Sequence, residues 1–390
     1  MGRERHHPKS SRPDPRRSRI HGLARANRLR PAVVVGGGLT GLVAALRLVE
    51  RGAEVILVES ATRLGGQIHS THPEGICVEL GAEGFVARSE VMPRLCNELG
   101  IGDSLIDQTS TTTYAFTRGN LVELPPGEAA TLLGFQVPKE ELGRGIRSLR
   151  GGMGEVIDAL ERRLAGRASI RTGELVSAIE RRDSGLHVSI EAGSEIEASA
   201  VIITAASRVA SSILGRAFGA PAQALARGRM TSSASVSLLY ELSSIGKKLE
   251  GSGFIVPQDE QTDGFRAASY ASIKLARPVP EGTVLLRAFF RPTAQDVLDR
   301  SESAWVDLAV RHVSEALDIS GAPLGSWASI WSSALPVYDD AYRAAVAAAE
   351  AVLHPASVFL AGSHYHGAGI DAAVRSAERI AASIDLPLSL

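Results

Sequence analysis

The chain has 390 residues, enough for two or three domains and a large core. Hydrophobic residues make up 44%, charged residues 22% and aromatics only 5%, a globular composition without the stacking platforms of a single-strand nucleic-acid binder. Net charge is −1, and ten of the 42 basic residues fall within residues 1–30, so the body is mildly acidic and nucleic acid is not an expected partner. The two cysteines, Cys77 and Cys96, make neither a disulfide framework nor a metal cage, and fit a reducing cytosol. The longest uncharged stretch near the start, Pro31 to Leu46, is too short and too glycine-rich to span a bilayer.

Residues 1–30 are basic, contain Pro and Ser, and have no periodicity; they read as a disordered tail, with a basic arm against anionic lipid as the alternative. Ala32 to Val35 is an apolar strand, Leu39 to Arg51 a helix ending at Gly52, and Glu54 to Glu59 a second strand, which together make a βαβ unit. Helical spacing follows at Val91 to Gly100, then a hairpin over Thr112 to Leu124 turning at Arg118-Gly119-Asn120. Met153 to Leu164 is a helix. Ser169 to Val176, Leu186 to Glu191 and Ala200 to Thr204 read as strands, as do Met230 to Glu241, Gly253 to Val256 and Val284 to Phe290. Helices are expected at Ser303 to Leu317 and Ala341 to Leu353. A strand at Ser357 to Ala361, a glycine-rich turn and a helix at Ile370 to Ile384 close the chain.

Within VVVGGGLTGLVAAL, Gly36, Gly38 and Gly41 have G-x-G-x-x-G spacing after a strand and at the start of a helix. Gly36 permits the turn, Gly38 lets backbone approach a pyrophosphate, and Gly41 lets helix and strand pack closely. Gly37, Leu39 and Thr40 complete the loop that would carry the phosphates on free helix N–H groups. Glu59 ends the second strand, where a carboxylate accepts hydrogen bonds from ribose hydroxyls. A dinucleotide site is the expectation.

After Glu59 come Ser60, Arg63, Gly65 and Gly66, an Arg-x-Gly-Gly element that resembles the FAD-containing amine oxidase and porphyrinogen oxidase superfamily. Leu80-Gly81-Ala82-Glu83-Gly84 lies where that superfamily brings backbone near the flavin, and Gly151-Gly152-Met153-Gly154 with Val176 resembles its second FAD segment. The final segment VFLAGSHYHGAGID, preceded by Trp331 and Leu335-Pro336-Val337-Tyr338, resembles the oxygen-dependent protoporphyrinogen oxidases, most of all the bacterial branch acting on coproporphyrinogen III. Gly251 to Pro257 and Val284 to Ala288 match in the same order, so the likeness covers 31–127 and 150–388.

The resemblance implies an α/β fold: a Rossmann-like FAD-binding domain from 31–88, 151–206 and 330–390, and a discontinuous, shortened α+β substrate domain from 89–150 and 207–329. It implies FAD as cofactor, a porphyrinogen and O2 as partners, hydride transfer to flavin N5 and release of H2O2. The protein would be cytoplasmic with at most peripheral membrane contact, and a haem-pathway enzyme is a candidate partner. Gly362, Ala368, Gly369 and Ile370 would bring the final helix N-terminus to the flavin pyrimidine, where it favours the negative charge of reduction. Arg88, Arg118, Arg287 and His366 are candidate substrate contacts, the arginines for propionates. The flavin carries the hard step, so the protein needs to supply little acid–base chemistry, and no catalytic side chain is assigned.

Two departures stand out. Only Glu128 to Gly151 fills the place of a long helical segment of the family, which opens the cleft. Asp371 stands where the family has Pro. Neither His69-x-x-His72 nor His364-x-His366 has the further ligands of a metal site, so no metal is expected. Two other functions remain open: an amine or polyene oxidase, against which Met230 to Tyr240 lacks a lysine, and a flavin- or porphyrin-binding relative without turnover.

Overall fold

The first strand, Ala32–Val35, is apolar at every position, and its side chains point alternately into two cores. This is the pattern of a strand covered on both faces. It lies at the centre of a five-stranded parallel sheet in the order Ser169–Thr172, Val55–Glu59, Ala32–Val35, Ala200–Ile203, Val358–Leu360. The computed structural model describes residues 30–132 and 145–385; the expected tail over 1–29 and part of the shortened segment after Glu128 lie outside them.

One face of the sheet packs on helices Leu39–Glu50, Val91–Glu98, Gly154–Leu164 and Ile370–Ser383 through Leu42, Leu46, Met92, Leu160, Val374 and their neighbours. The other packs on helices Ser207–Ala224 and Asp340–Leu353 and on a three-stranded antiparallel meander, Val176–Arg182, Gly185–Ile190 and Glu195–Ala198.

A second, seven-stranded sheet runs in the order Gly325–Pro336, Met230–Glu241, Thr283–Phe290, Phe265–Ser269, Gly253–Ile255, Tyr114–Thr117, Asn120–Glu123. One face is covered by helix Glu302–Leu317, whose Trp305, Leu308 and Val313 pack on Val236, Leu238, Leu286 and Phe290. The other face turns toward the parallel-sheet unit.

Three expectations are corrected. Ser169 to Val176 is not one strand: Gly173 adopts φ 73°, the chain turns there, and the two halves join different sheets. Ser207–Ala224 is a helix that the sequence reading left unassigned; Gly219 at φ 67° and Pro221 interrupt it and blur its period. The boundary at 330 cuts through strand Gly325–Pro336, which pairs with Met230–Glu241 as far as Met230–Pro336, so Trp331 belongs to the seven-stranded sheet.

Candidate functional site

The glycine motif sits at the carboxyl end of the central strand. Gly36 turns the chain at φ 111°, and a side chain on Gly41 would run into the Gly36 carbonyl oxygen. Gly38 differs: a Cβ there would meet only Gly66 Cα at 3.8 Å and Gly65 O at 3.9 Å. Gly38 is also the N-cap of Leu39–Glu50 and no side chain caps that helix. The outcome is a helix N-terminus with an open flank, a seat for an anion. Glu59 is drawn beside it, Oε2 accepting from Gly37 N at 2.6 Å and Oε1 from Ala61 N at 2.7 Å and Ser60 Oγ at 3.3 Å.

Gly65 N donates to Gly37 O at 2.8 Å, so the second glycine pair lies against the first. Arg63 fixes that turn by donating to Gly66 O at 2.8 Å and Leu64 O at 3.0 Å, and its guanidinium lies 5.9 Å from the Trp331 ring centre. Trp331 Nε1 donates to Leu80 O at 2.8 Å, and Arg287 donates to Gly81 O at 2.8 Å and Ser235 Oγ at 2.9 Å. Contacts therefore run without a break from the glycine motif to the seven-stranded sheet. Ala82 N donates to Gln67 O at 3.1 Å, and Gly84 packs on the Arg147 carbonyl.

A buried charge cluster braces this junction. Arg277 donates to Glu79 at 3.0 Å, Ser148 Oγ at 2.6 Å and Leu149 O at 2.9 Å. Lys274 pairs with Glu83, which also lies 3.8 Å from Arg287. Burial alone would raise the Glu83 carboxyl; Lys274 and Arg287 outweigh it and hold it below the usual range. Glu79, Lys274 and Arg277 escaped the sequence reading because their partners lie up to 198 residues away.

The sheet face toward the junction is built of small residues. Register aligns Ser237 with Trp327 and Arg287, Ser235 with Ser329 and Phe289, and Ser233 with Trp331. Ala267 and Ser269 continue the surface beside Phe289 and Arg287. This floor between Trp331 and Phe289 is built of serines, with Ser235 buried beneath the Arg287 guanidinium. It is sealed at one end, where Leu239 and Leu285 pack on Ile76 and Val78.

The last segment closes the site. A Cβ on Gly362 would touch Thr40 Oγ1 at 2.9 Å, so the end of strand Val358–Leu360 meets the motif helix. Tyr342 Oη donates to His364 O at 2.7 Å, Tyr365 Oη to Ala205 O at 2.6 Å, and Tyr338 Oη to Ser363 O. Ala368 leads to Gly369 at φ 98°, the N-cap of Ile370–Ser383; no side chain caps this helix and nothing lies within 4 Å of a Cβ on Gly369.

The sequence matches the flavin containing amine oxidoreductase family over residues 128–385 and an NAD(P)-binding Rossmann-like domain over 34–99. The chain belongs to the flavin containing amine oxidoreductase family. It is an oxidoreductase and a flavoprotein with FAD as its cofactor. It is 23% identical over 478 aligned positions to coproporphyrinogen III oxidase of Propionibacterium freudenreichii, covering 90% of this chain and 89% of the relative. With that enzyme of Bacillus subtilis it shares 20% over 447 positions, covering 87% and 94%. Both alignments are longer than the 390-residue chain, so both relatives carry stretches that this flavoprotein lacks. A solved structure from Exiguobacterium sp. 255-15, provisionally named a protoporphyrinogen oxidase, has the same fold, with a TM-score of 0.77 at 20% identity over 91% of this chain and 98% of that one.

The residues fit FAD. The glycines that only pack the protein, such as Gly41, are occluded, while Gly38 and Gly369 are open on the side where helix N–H groups are free. Glu59 would hold the ribose, Gly36 to Thr40 the pyrophosphate, and Gly369 and Ile370 the far end of the ring system. Val176, expected at the adenine, buries its side chain in the core beside Ile190 and leaves only backbone to offer.

The expected substrate residues scatter. Arg287 is 4% exposed and engaged by Gly81 and Ser235. Arg88 is exposed beyond strand Phe85–Val86. Arg118 sits at the hairpin tip by Glu260, five to six strand spacings from the Trp331 strand, or roughly 24–29 Å at about 4.8 Å per spacing. His366 faces inward: its Nε2 meets Glu350 Oε1 at 2.7 Å and its Nδ1 meets Ser376 Oγ at 2.8 Å, while Ser376 Oγ accepts from Gly362 N at 2.9 Å. Burial pushes the Cys77 and Cys96 thiols up to about 11. Among the described residues there is no helix long and apolar enough to cross a membrane, and no cluster of three or more His, Cys, Asp or Glu to hold a metal.

Proposed function

We propose that this flavoprotein oxidises a porphyrinogen, coproporphyrinogen III or protoporphyrinogen IX, to the porphyrin, with O2 as acceptor and H2O2 as product. The observation that carries the reading is the small-residue sheet face between Trp331 and Phe289, joined to the FAD cradle through Leu80 and Gly81. A wide tetrapyrrole macrocycle, planar once oxidised to the porphyrin, needs such a floor; a short alkyl amine does not. The name of the two relatives favours coproporphyrinogen III. When bound, FAD supplies hydride acceptance at N5 and return of the electrons to oxygen. The chain's part is to hold and orient: Glu59 by the ribose, the N–H groups after Gly38 by the phosphates, the first turn after Gly369 by its dipole at the ring. Arg287 and Trp331 keep the Leu80–Gly81 backbone in register with the floor.

The test is aerobic mixing of the yellow protein with each porphyrinogen, followed by porphyrin fluorescence and peroxide assay. Faster porphyrin formation than in a protein-free blank, with stoichiometric H2O2, is the expected result. A flat trace from FAD-loaded protein would overturn the reading and favour a binding protein without turnover.

A further inference from the structure

His366 stands three residues before Gly369, the N-cap of the final helix, and its side chain is only 13% exposed. Both ring nitrogens are engaged. Nε2 lies 2.7 Å from Glu350 Oε1, and Nδ1 lies 2.8 Å from Ser376 Oγ. Ser376, 3% exposed, accepts in turn from Gly362 N at 2.9 Å. Gly362 O accepts from the N–H groups of Tyr365 and His366, each at 3.0 Å, which closes the turn on itself. A continuous polar chain therefore joins Glu350 on helix Asp340–Leu353, the turn from Gly362 to Gly369, and Ser376 on helix Ile370–Ser383.

What this chain of contacts holds is the wall of the FAD cradle. Gly362 turns at φ 103° against Thr40 of the pyrophosphate loop, and the other end of the same short turn delivers Gly369. Buried hydrogen bonds fix such a turn because leaving any one of them unmade is costly away from water. The outer end of the chain is wet. Glu350 lines a cavity of about 650 Å³ together with His354, Arg379 and Asp385, so its charge can respond to the solvent. The groups that face it are His366, His354 at 4.0 Å and Arg379. Burial would raise its carboxyl; the His366 hydrogen bond and the charges of His366, His354 and Arg379 outweigh burial and hold it below the usual range.

We propose that Glu350 and His366 are positioning residues for FAD: acting through Ser376, they fix Gly362 and the turn it opens, and so set how firmly the pyrophosphate loop and the final helix N-terminus grip the cofactor. The inference rests on the FAD site and is independent of the identity of the substrate.

The experiment follows FAD release from the diluted holoprotein by the rise of free-flavin fluorescence. Glu350→Ala and His366→Phe should each speed release about tenfold at pH 7, the scale of one hydrogen bond to a charged group. Glu350→Gln, whose amide can meet Nε2 in either tautomer, should recover most of that loss. Wild-type release should quicken as pH falls through the carboxylate range, and release from Glu350→Gln should change less over the same range. Ile213→Ala is the control for loosened packing. Ile213 is 5% exposed on helix Ser207–Ala224, in the same core as helix Asp340–Leu353, and takes no part in the polar chain. Its release should stay within about twofold of wild type. If Glu350→Ala and His366→Phe release FAD no faster than Ile213→Ala, the positioning role is overturned and FAD binding itself stands. A pH response as steep in Glu350→Gln as in wild type would overturn the part assigned to Glu350.

Discussion

The indole N–H of Trp331 donates to the carbonyl of Leu80 at 2.8 Å, across 251 residues of chain, and so ties the edge of the seven-stranded sheet to the Leu80–Gly81 backbone. Trp331→Phe keeps the apolar ring and removes the donor. It should cost about 1–3 kcal/mol in urea denaturation, the penalty for a carbonyl left without its partner, and loosen FAD on gel filtration. Unchanged stability together with full FAD retention would mean that this bond does not hold the junction.

Gly38 and Gly41 should respond to alanine in opposite ways. Gly41→Ala drives a methyl group into the Gly36 carbonyl, so soluble yield should collapse. Gly38→Ala has room in the protein and a φ of −71° that alanine adopts freely. Its fold should survive within about 1 kcal/mol, while FAD affinity drops at least tenfold. Circular dichroism and flavin absorbance separate the two outcomes.

The Arg277–Glu79 pair is 6% and 3% exposed at its side chains. Glu79→Gln strands the guanidinium, and Arg277→Met strands the carboxylate. Either should cost about 3–5 kcal/mol, and the double variant should cost less than the sum of the two. A full double-mutant cycle in denaturant measures the coupling, and simple additivity would refute it.

Glu350 ties stability to pH. Burial alone would raise its carboxyl, but the hydrogen bond from His366 and the nearby charges of His366, His354 and Arg379 bring it below the usual range. A carboxyl with a depressed folded value stabilises the protein at neutral pH, and loses that contribution as pH falls through and below the usual carboxylate range. Wild type should therefore exceed Glu350→Gln in stability at pH 7, and the gap should close in acid. A gap that widens in acid would contradict the assignment.

The local parts of this architecture were readable in the sequence. Gly36 to Gly41 and Glu59 belong to one βαβ unit, where a short span sets turn, helix and acid. The Thr112 to Leu124 hairpin carries its own turn at Arg118-Gly119. What escaped depends on distant partners. Nothing near Glu79 announces Arg277, and nothing near Ser233, Ser235 or Ser237 announces a floor, since serines alternating with apolar residues read as an ordinary half-buried strand. Trp331 was singled out by resemblance, but its strand was missed, because Gly325–Pro336 mixes small and aromatic residues on both faces.

The parallel sheet gathers its strands from positions as far apart as Ala32 and Leu360. Its outer strand, Val358–Leu360, and the helix beginning at Ile370 leave the ribosome after every other strand of the sheet. The glycine motif emerges with the first strand of the sheet and lacks the Gly362 wall until that last strand follows. Contacts of such long sequence separation form slowly. Cofactor capture should therefore be a late event in biogenesis, and a chain stalled short of its closing helix should accumulate colourless and vulnerable to proteases.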